Sequence, residues 1–145
     1  MPRSTAPAPS RGTRRQPSRS LLLRVLAAVA LGVSAYLHVD LAQGPLVSAG
    51  QITLAGLFIA QAVVATIVAL AVLVRPGRLT WAAVAVVGLA SFAALVLSVY
   101  VQIPAVGPFP TLYEPIWYGE KVAAAGAAAL AALVALVALA RGRRP

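Results

Sequence analysis

The sequence predicts an all-α fold, a four-transmembrane-helix antiparallel bundle, and three observations predict it. The 145 residues are 61% hydrophobic and only 10% charged, with a mean hydropathy of +0.90, whereas soluble domains run about 45–50% apolar and about 25% charged. Apolar runs of about 20 residues, long enough to cross a bilayer, recur along the chain. All eleven Arg also fall where four crossings collect them on one side.

Residues 1–20 (MPRSTAPAPSRGTRRQPSRS) are rich in Pro, Ser and Arg and have almost nothing to bury. They read as a disordered basic tail that sets topology, or that rests on anionic lipid at about 1 kcal/mol per basic residue. The first span covers about Leu21–Val39, with Arg24 snorkelling back to the interface. Val33-Ser34-Ala35 would suit signal cleavage, but Arg24 interrupts the apolar region and the run continues past Ala35, so the segment reads as a retained span. Asp40–Gln51 is a short loop without Lys or Arg.

The second span is Ile52–Val74, about 34 Å at 1.5 Å per residue. Arg75-Pro76-Gly77-Arg78 is a tight basic turn that should make the second and third helices antiparallel neighbours. Leu79–Val101 follows, with Trp81 as an interfacial anchor. Gln102–Pro115 carries Pro104, Pro108, Pro110 and Pro115 and should be extended. Thr111 or Glu114 can cap the fourth helix, Pro115 suits its first turn, and it runs to about Ala140. Residues 142–145 form a second basic tail.

The positive-inside rule then places both termini in the cytoplasm of a bacterial plasma membrane, with Asp40, Glu114, Glu120 and Lys121 outside. Eleven positive charges inside and a net of −2 outside account for the formal +9. The charge therefore reports topology and does not call for nucleic acid. The absence of Cys excludes disulfides, Zn–thiolate sites, Fe–S clusters and dithiol redox chemistry.

Lipid supplies no hydrophobic drive between helices, so small and buried polar residues mark the packed faces. On the fourth helix Ala124, Ala128, Ala131 and Ala135 form one stripe, opposite Ile116, Val122, Leu130, Leu133, Val134 and Val137. Extended backward, the wheel puts Trp117, Glu120 and Lys121 above the Ala stripe. Gly88, Ser91, Ser98 and Gln102 share a face of the third helix, and Arg24, Leu31, Ser34 and His38 a face of the first. Gln61 lies in mid-membrane and should point inward, because an unsatisfied amide in hydrocarbon costs several kcal/mol. Interhelical glue is the plain reading of it.

The outer end gathers His38, Asp40, Gln102, Glu114, Glu120 and Lys121 with Tyr36, Tyr100, Tyr113, Trp117 and Tyr118. Imidazole with carboxylate oxygens suits several divalent metals, and His38 with Glu114 or Glu120 is the candidate set. His38 and Asp40 point roughly 160° apart on a helix, so such a site must form across the bundle, under a lid made by Gln102–Pro115. Trp117 and Lys121 could make a cation–π contact. The plain alternative is an aromatic belt with waterline charges. A single His rules out bis-His haem within one chain. No phosphate loop, nucleophile elbow or HExxH is present, and no cofactor is expected. Small four-helix drug exporters share the span count but depend on an acid within a helix, and no acid here lies mid-span. The two halves share no motif of internal duplication.

Tyr36-Leu37-His38 closing span one, Gly56-Leu57-Phe58 with Gln61 in span two, and the Arg- and Ala-rich composition resemble small four-span membrane proteins of high-GC actinobacteria. That resemblance covers about residues 21–140 and implies a membrane protein without an assigned activity. The leading expectation is a non-catalytic accessory or scaffold subunit, in contact with lipid and with a membrane-protein partner or a second copy. The second is a small-molecule, ion or metal site built from His38 and Glu114 or Glu120. The third is an enzyme acting on lipid or quinone, with Glu114 or Glu120 as general acid or base.

Overall fold

A computed structural model describes residues 17–43 and 52–142; the basic tail over 1–16, most of the first loop and the last three residues lie outside it. The described chain is an all-α four-helix bundle: α1 Pro17–Ala42, α2 Leu54–Val74, α3 Arg78–Tyr100 and α4 Gly119–Arg141. All four are long and apolar enough to cross a membrane. Their outward faces are largely apolar, with Leu22, Val63, Ile67, Leu70, Val86 and Leu133 all exposed, as a multi-pass membrane protein requires.

Boundaries differ from the sequence reading where capping decides them. The first helix begins at Pro17 and runs through Asp40 to Ala42, so His38 sits well inside a helix. Thr53 caps α2, its hydroxyl accepting from Gly56 N at 2.9 Å. The fourth helix starts at Gly119, beyond Pro115, with neither Thr111 nor Glu114 as its cap. Tyr118 takes the cap position in extended backbone without a side-chain capping bond.

The bundle is a square in which α1 packs on α2 and α4, and α3 packs on α4. Ala124, Ala128, Ala131 and Ala135 are fully buried, as their stripe predicts. Of the opposite arc, Val134 is the exception: it is buried in the core. Gly88 is what lets α3 and α4 meet backbone to backbone. A Cβ there would lie 2.8 Å from Ala128 O and 2.9 Å from Ala132 N. Trp81, expected at the interface, instead packs with Val72, Val84, Leu31 and Ala135 in the core at the arginine-bearing end. Arg24 does not simply snorkel: its Nε donates to Val72 O at 3.2 Å and satisfies a carbonyl in the last turn of α2.

The fourth side of the square is the loose one. The Arg75–Arg78 turn holds α2 and α3 together at one end, yet along their length they touch far less than the other neighbours do. Toward the opposite end they part. There the chain between α3 and α4 folds back over the opening without forming a helix. A tight turn at Gly107-Pro108 pairs Val106 with Phe109, and Gly107 at φ +58° meets the positive angle that a two-residue hairpin needs before Pro. Thr111 Oγ1 and Leu112 N both donate to Ile103 O, Glu114 N donates to Ser98 O at 2.7 Å, and Ile52 N donates to Pro108 O at 3.0 Å. The loop is thereby tied to α3, to the start of α2 and, through Glu114, to α4.

Candidate functional site

Between α2 and α3, beneath this loop, lies a cavity of about 310 Å³. His38 and Leu41 come from α1, Phe58 and Gln61 from α2, Ser91 and Ser98 from α3, Tyr113, Glu114 and Tyr118 from the loop, and Lys121 from α4. Its remaining wall is aliphatic, including Ala90 and Ala94, which are exposed on the outside of the bundle. Tyr113, from the loop, is the other exposed lining residue.

His38 is 3% exposed and fully engaged. Its Nδ1 lies 2.7 Å from Ser34 O and its Nε2 3.3 Å from Ser91 Oγ. A carbonyl only accepts, so Nδ1 carries the proton, and in the neutral ring Nε2 is left as the acceptor for the Ser91 hydroxyl. Phe58 stands edge-on to the imidazole at a centroid distance of 5.7 Å. Gln61 lies one turn from Phe58 on the same face of α2. Its amide nitrogen is enclosed and has no hydrogen-bond partner. Leaving such an amide unpaired in a protein interior costs about 1–3 kcal/mol, and among the described residues its nitrogen makes no interhelical hydrogen bond.

Lys121 is 1% exposed and among the most completely buried large side chains of the described residues. Its ammonium donates to Glu114 O at 2.9 Å and to Glu114 Oε2 at 3.2 Å. Tyr118 OH donates to the same Oε2 at 3.4 Å, and the ammonium sits 5.8 Å above the Tyr118 ring. Burial, together with the neighbouring Glu114 carboxylate, pushes the Tyr118 phenol up to about 12. The cation–π partner of Lys121 is thus Tyr118; Trp117 turns outward and donates to Tyr100 OH at 3.3 Å.

Of the residues expected to face one another, His38, Gln61, Ser91, Ser98, Tyr113, Glu114, Tyr118 and Lys121 converge on the cavity. Asp40, Gln102, Trp117 and Glu120 do not; all four are exposed outside it. Lys121 alone of the Trp117–Glu120–Lys121 set looks over the Ala stripe, because the helix begins too late to carry Trp117 on its wheel. The metal site built from His38 with Glu114 or Glu120 is not assembled. His38 bonds to two serines and Glu114 to Lys121 and Tyr118, and among the described residues no three His, Asp or Glu side chains gather around a common point. Phe58 is the contributor that chemistry-led reading passes over, although its spacing from Gln61 marks it.

Compared with protein-family models, curated proteins and solved structures, the chain finds no match in any of the three.

Proposed function

We propose that this chain is a multi-pass protein of a bacterial plasma membrane, with both termini cytoplasmic, that binds a small lipid-soluble molecule entering from the bilayer between α2 and α3. One observation carries this reading. A largely apolar cavity between two helices long enough to cross a membrane has exposed Ala90 and Ala94 among its lining residues, and Gln61, whose buried amide nitrogen is unpartnered, at its wall. Evenly packed bundles have no such space, and a buried unpaired donor calls for an acceptor. At about 310 Å³ the cavity is at the small end for ligand sites, so it takes a head group while a tail stays in lipid.

The test is native mass spectrometry of protein extracted in mild detergent, with Ala94→Trp as the blocked mouth. Wild type should retain a lipophilic adduct that Ala94→Trp lacks. Equal retention, or none in wild type, rejects the reading. Orientation is checked separately, since the chain lacks Cys: Ala105→Cys should react with an impermeant maleimide from outside the cell.

A second reading, the accessory or scaffold subunit, is supported by Gly56 and Ala60, which lie exposed one turn apart on α2. Small residues on a lipid-facing stripe allow another helix to approach closely. Co-purification of one partner at fixed stoichiometry, lost on Gly56→Leu, would select it.

A further inference from the structure

Resting on the cavity reading, we infer that the head group is a lipid-borne hydroquinone, taken in its reduced form in preference to the oxidised quinone. The polar groups of the cavity are not interchangeable. Gln61 lines the cavity with its amide N–H enclosed and unpartnered; a turn of the amide brings that N–H to the ligand, so one side of the ligand presents an oxygen lone pair. Elsewhere on the wall His38 Nδ1 is committed to Ser34 O, which leaves Nε2 to accept from the Ser91 hydroxyl. Ser91 Oγ spends its single proton on that Nε2 at a long 3.3 Å and keeps lone pairs of its own. That side asks for a donor.

A ligand matching both needs an acceptor oxygen and an O–H on one small head. A hydroquinone has both. The quinone has two acceptor oxygens and no donor, so at Ser91 Oγ, whose proton His38 Nε2 holds, it meets lone pairs with lone pairs. Aromatic walls from Phe58, Tyr113 and Tyr118 suit a flat ring. The ring's alkyl tail leaves past Ala90 and Ala94 into lipid. No electron transfer is involved; the proposal concerns which redox form is held.

The experiment uses full-length protein in lipid nanodiscs and three probes: a decyl-substituted benzohydroquinone under reductant, its quinone, and decanol. Dissociation constants are read by competition. One hydrogen bond gained against one repulsive contact predicts that the hydroquinone binds about tenfold or more tighter than the quinone. His38→Phe should erase the preference, because the Ser91 hydroxyl is then free to donate to the quinone. Ser91→Ala frees Nε2 and should hold or raise hydroquinone affinity, which a purely structural role for Ser91 would lower. Gln61→Leu should weaken both ring forms together.

A quinone that binds as tightly as the hydroquinone, or a preference that survives His38→Phe, overturns the inference. Decanol competing on equal terms with the hydroquinone also overturns it, while leaving the cavity reading intact. Binding of none of the three removes both.

Discussion

Removing the Glu114 side chain should destabilise the protein mainly through the charge that it leaves behind on Lys121. The Lys121 side chain is 2% exposed and the Glu114 side chain 38%. Breaking a fully buried ion pair by deleting one partner costs about 3–5 kcal/mol, and an exposed pair is worth about 0–1 kcal/mol. This pair is mixed, since water reaches the carboxylate but not the ammonium. In Glu114→Ala the ammonium also keeps its bond to the residue-114 carbonyl. An expected cost of about 2 kcal/mol lies between the limits. Lys121→Met removes the enclosed charge and leaves a carboxylate free to turn to water, with Tyr118 still donating to it. It should cost under about 1 kcal/mol. The two changes must therefore couple: in the Lys121→Met background, Glu114→Ala should cost only about 0.5 kcal/mol. Equilibrium unfolding with SDS in mixed micelles, followed by tryptophan fluorescence, measures all four corners. A Glu114→Ala cost that is the same in both backgrounds would refute the reasoning.

Three further outcomes follow from the packing and the polar groups. Gly88→Ala drives a Cβ to 2.8 Å from Ala128 O and should cost about 1–3 kcal/mol, whereas Gly126→Ala, with nothing within 4 Å, should be neutral or stabilise by up to about 1 kcal/mol; equal effects in SDS unfolding would show that α3 and α4 do not approach as described. Gln61→Leu should raise the unfolding midpoint while weakening ligand retention, because it deletes an unpaired amide; a fall in both marks Gln61 as structural. Tyr118 has its phenol raised from 10.0 to about 12, so the folded state holds that proton more tightly than the unfolded chain. The stability it contributes is fully present below pH 10 and is lost as pH rises toward 12; Tyr118→Phe should flatten that stretch of the stability–pH curve, and an unchanged slope would refute the linkage.

The helices were legible because lipid imposes a simple rule: length and apolarity suffice, and small residues mark the seams. The Ala stripe of α4 and the His38 face of α1 could be read from a wheel for this reason. The cavity was legible only in part. His38, Gln61 and Lys121 announce themselves as polar groups that hydrocarbon will not tolerate unpaired. Their convergence depends on two facts that no local pattern carries. One is that α2 and α3, joined by the shortest turn, pack least. A short connection fixes proximity at one end, while Gly88 draws α3 toward α4 along its length. The other is that α4 starts at Gly119. Glu114 was placed as a helix cap by its spacing, but its carboxylate serves the buried Lys121 and its backbone N–H the end of α3. A tertiary demand outranked a local one, and Trp117, Glu120 and the expected metal set fell away with the displaced helix start.

The bond from Ile52 N to Pro108 O joins the chain just ahead of α2 to the tip of the loop that leads into α4. Helix α2, which meets α3 only loosely, is thus fastened just ahead of its first turn to the loop that follows α3. Widening the crevice by tilting α2 outward works as a lever: the Gly107-Pro108 tip must travel with Ile52 or let go of it.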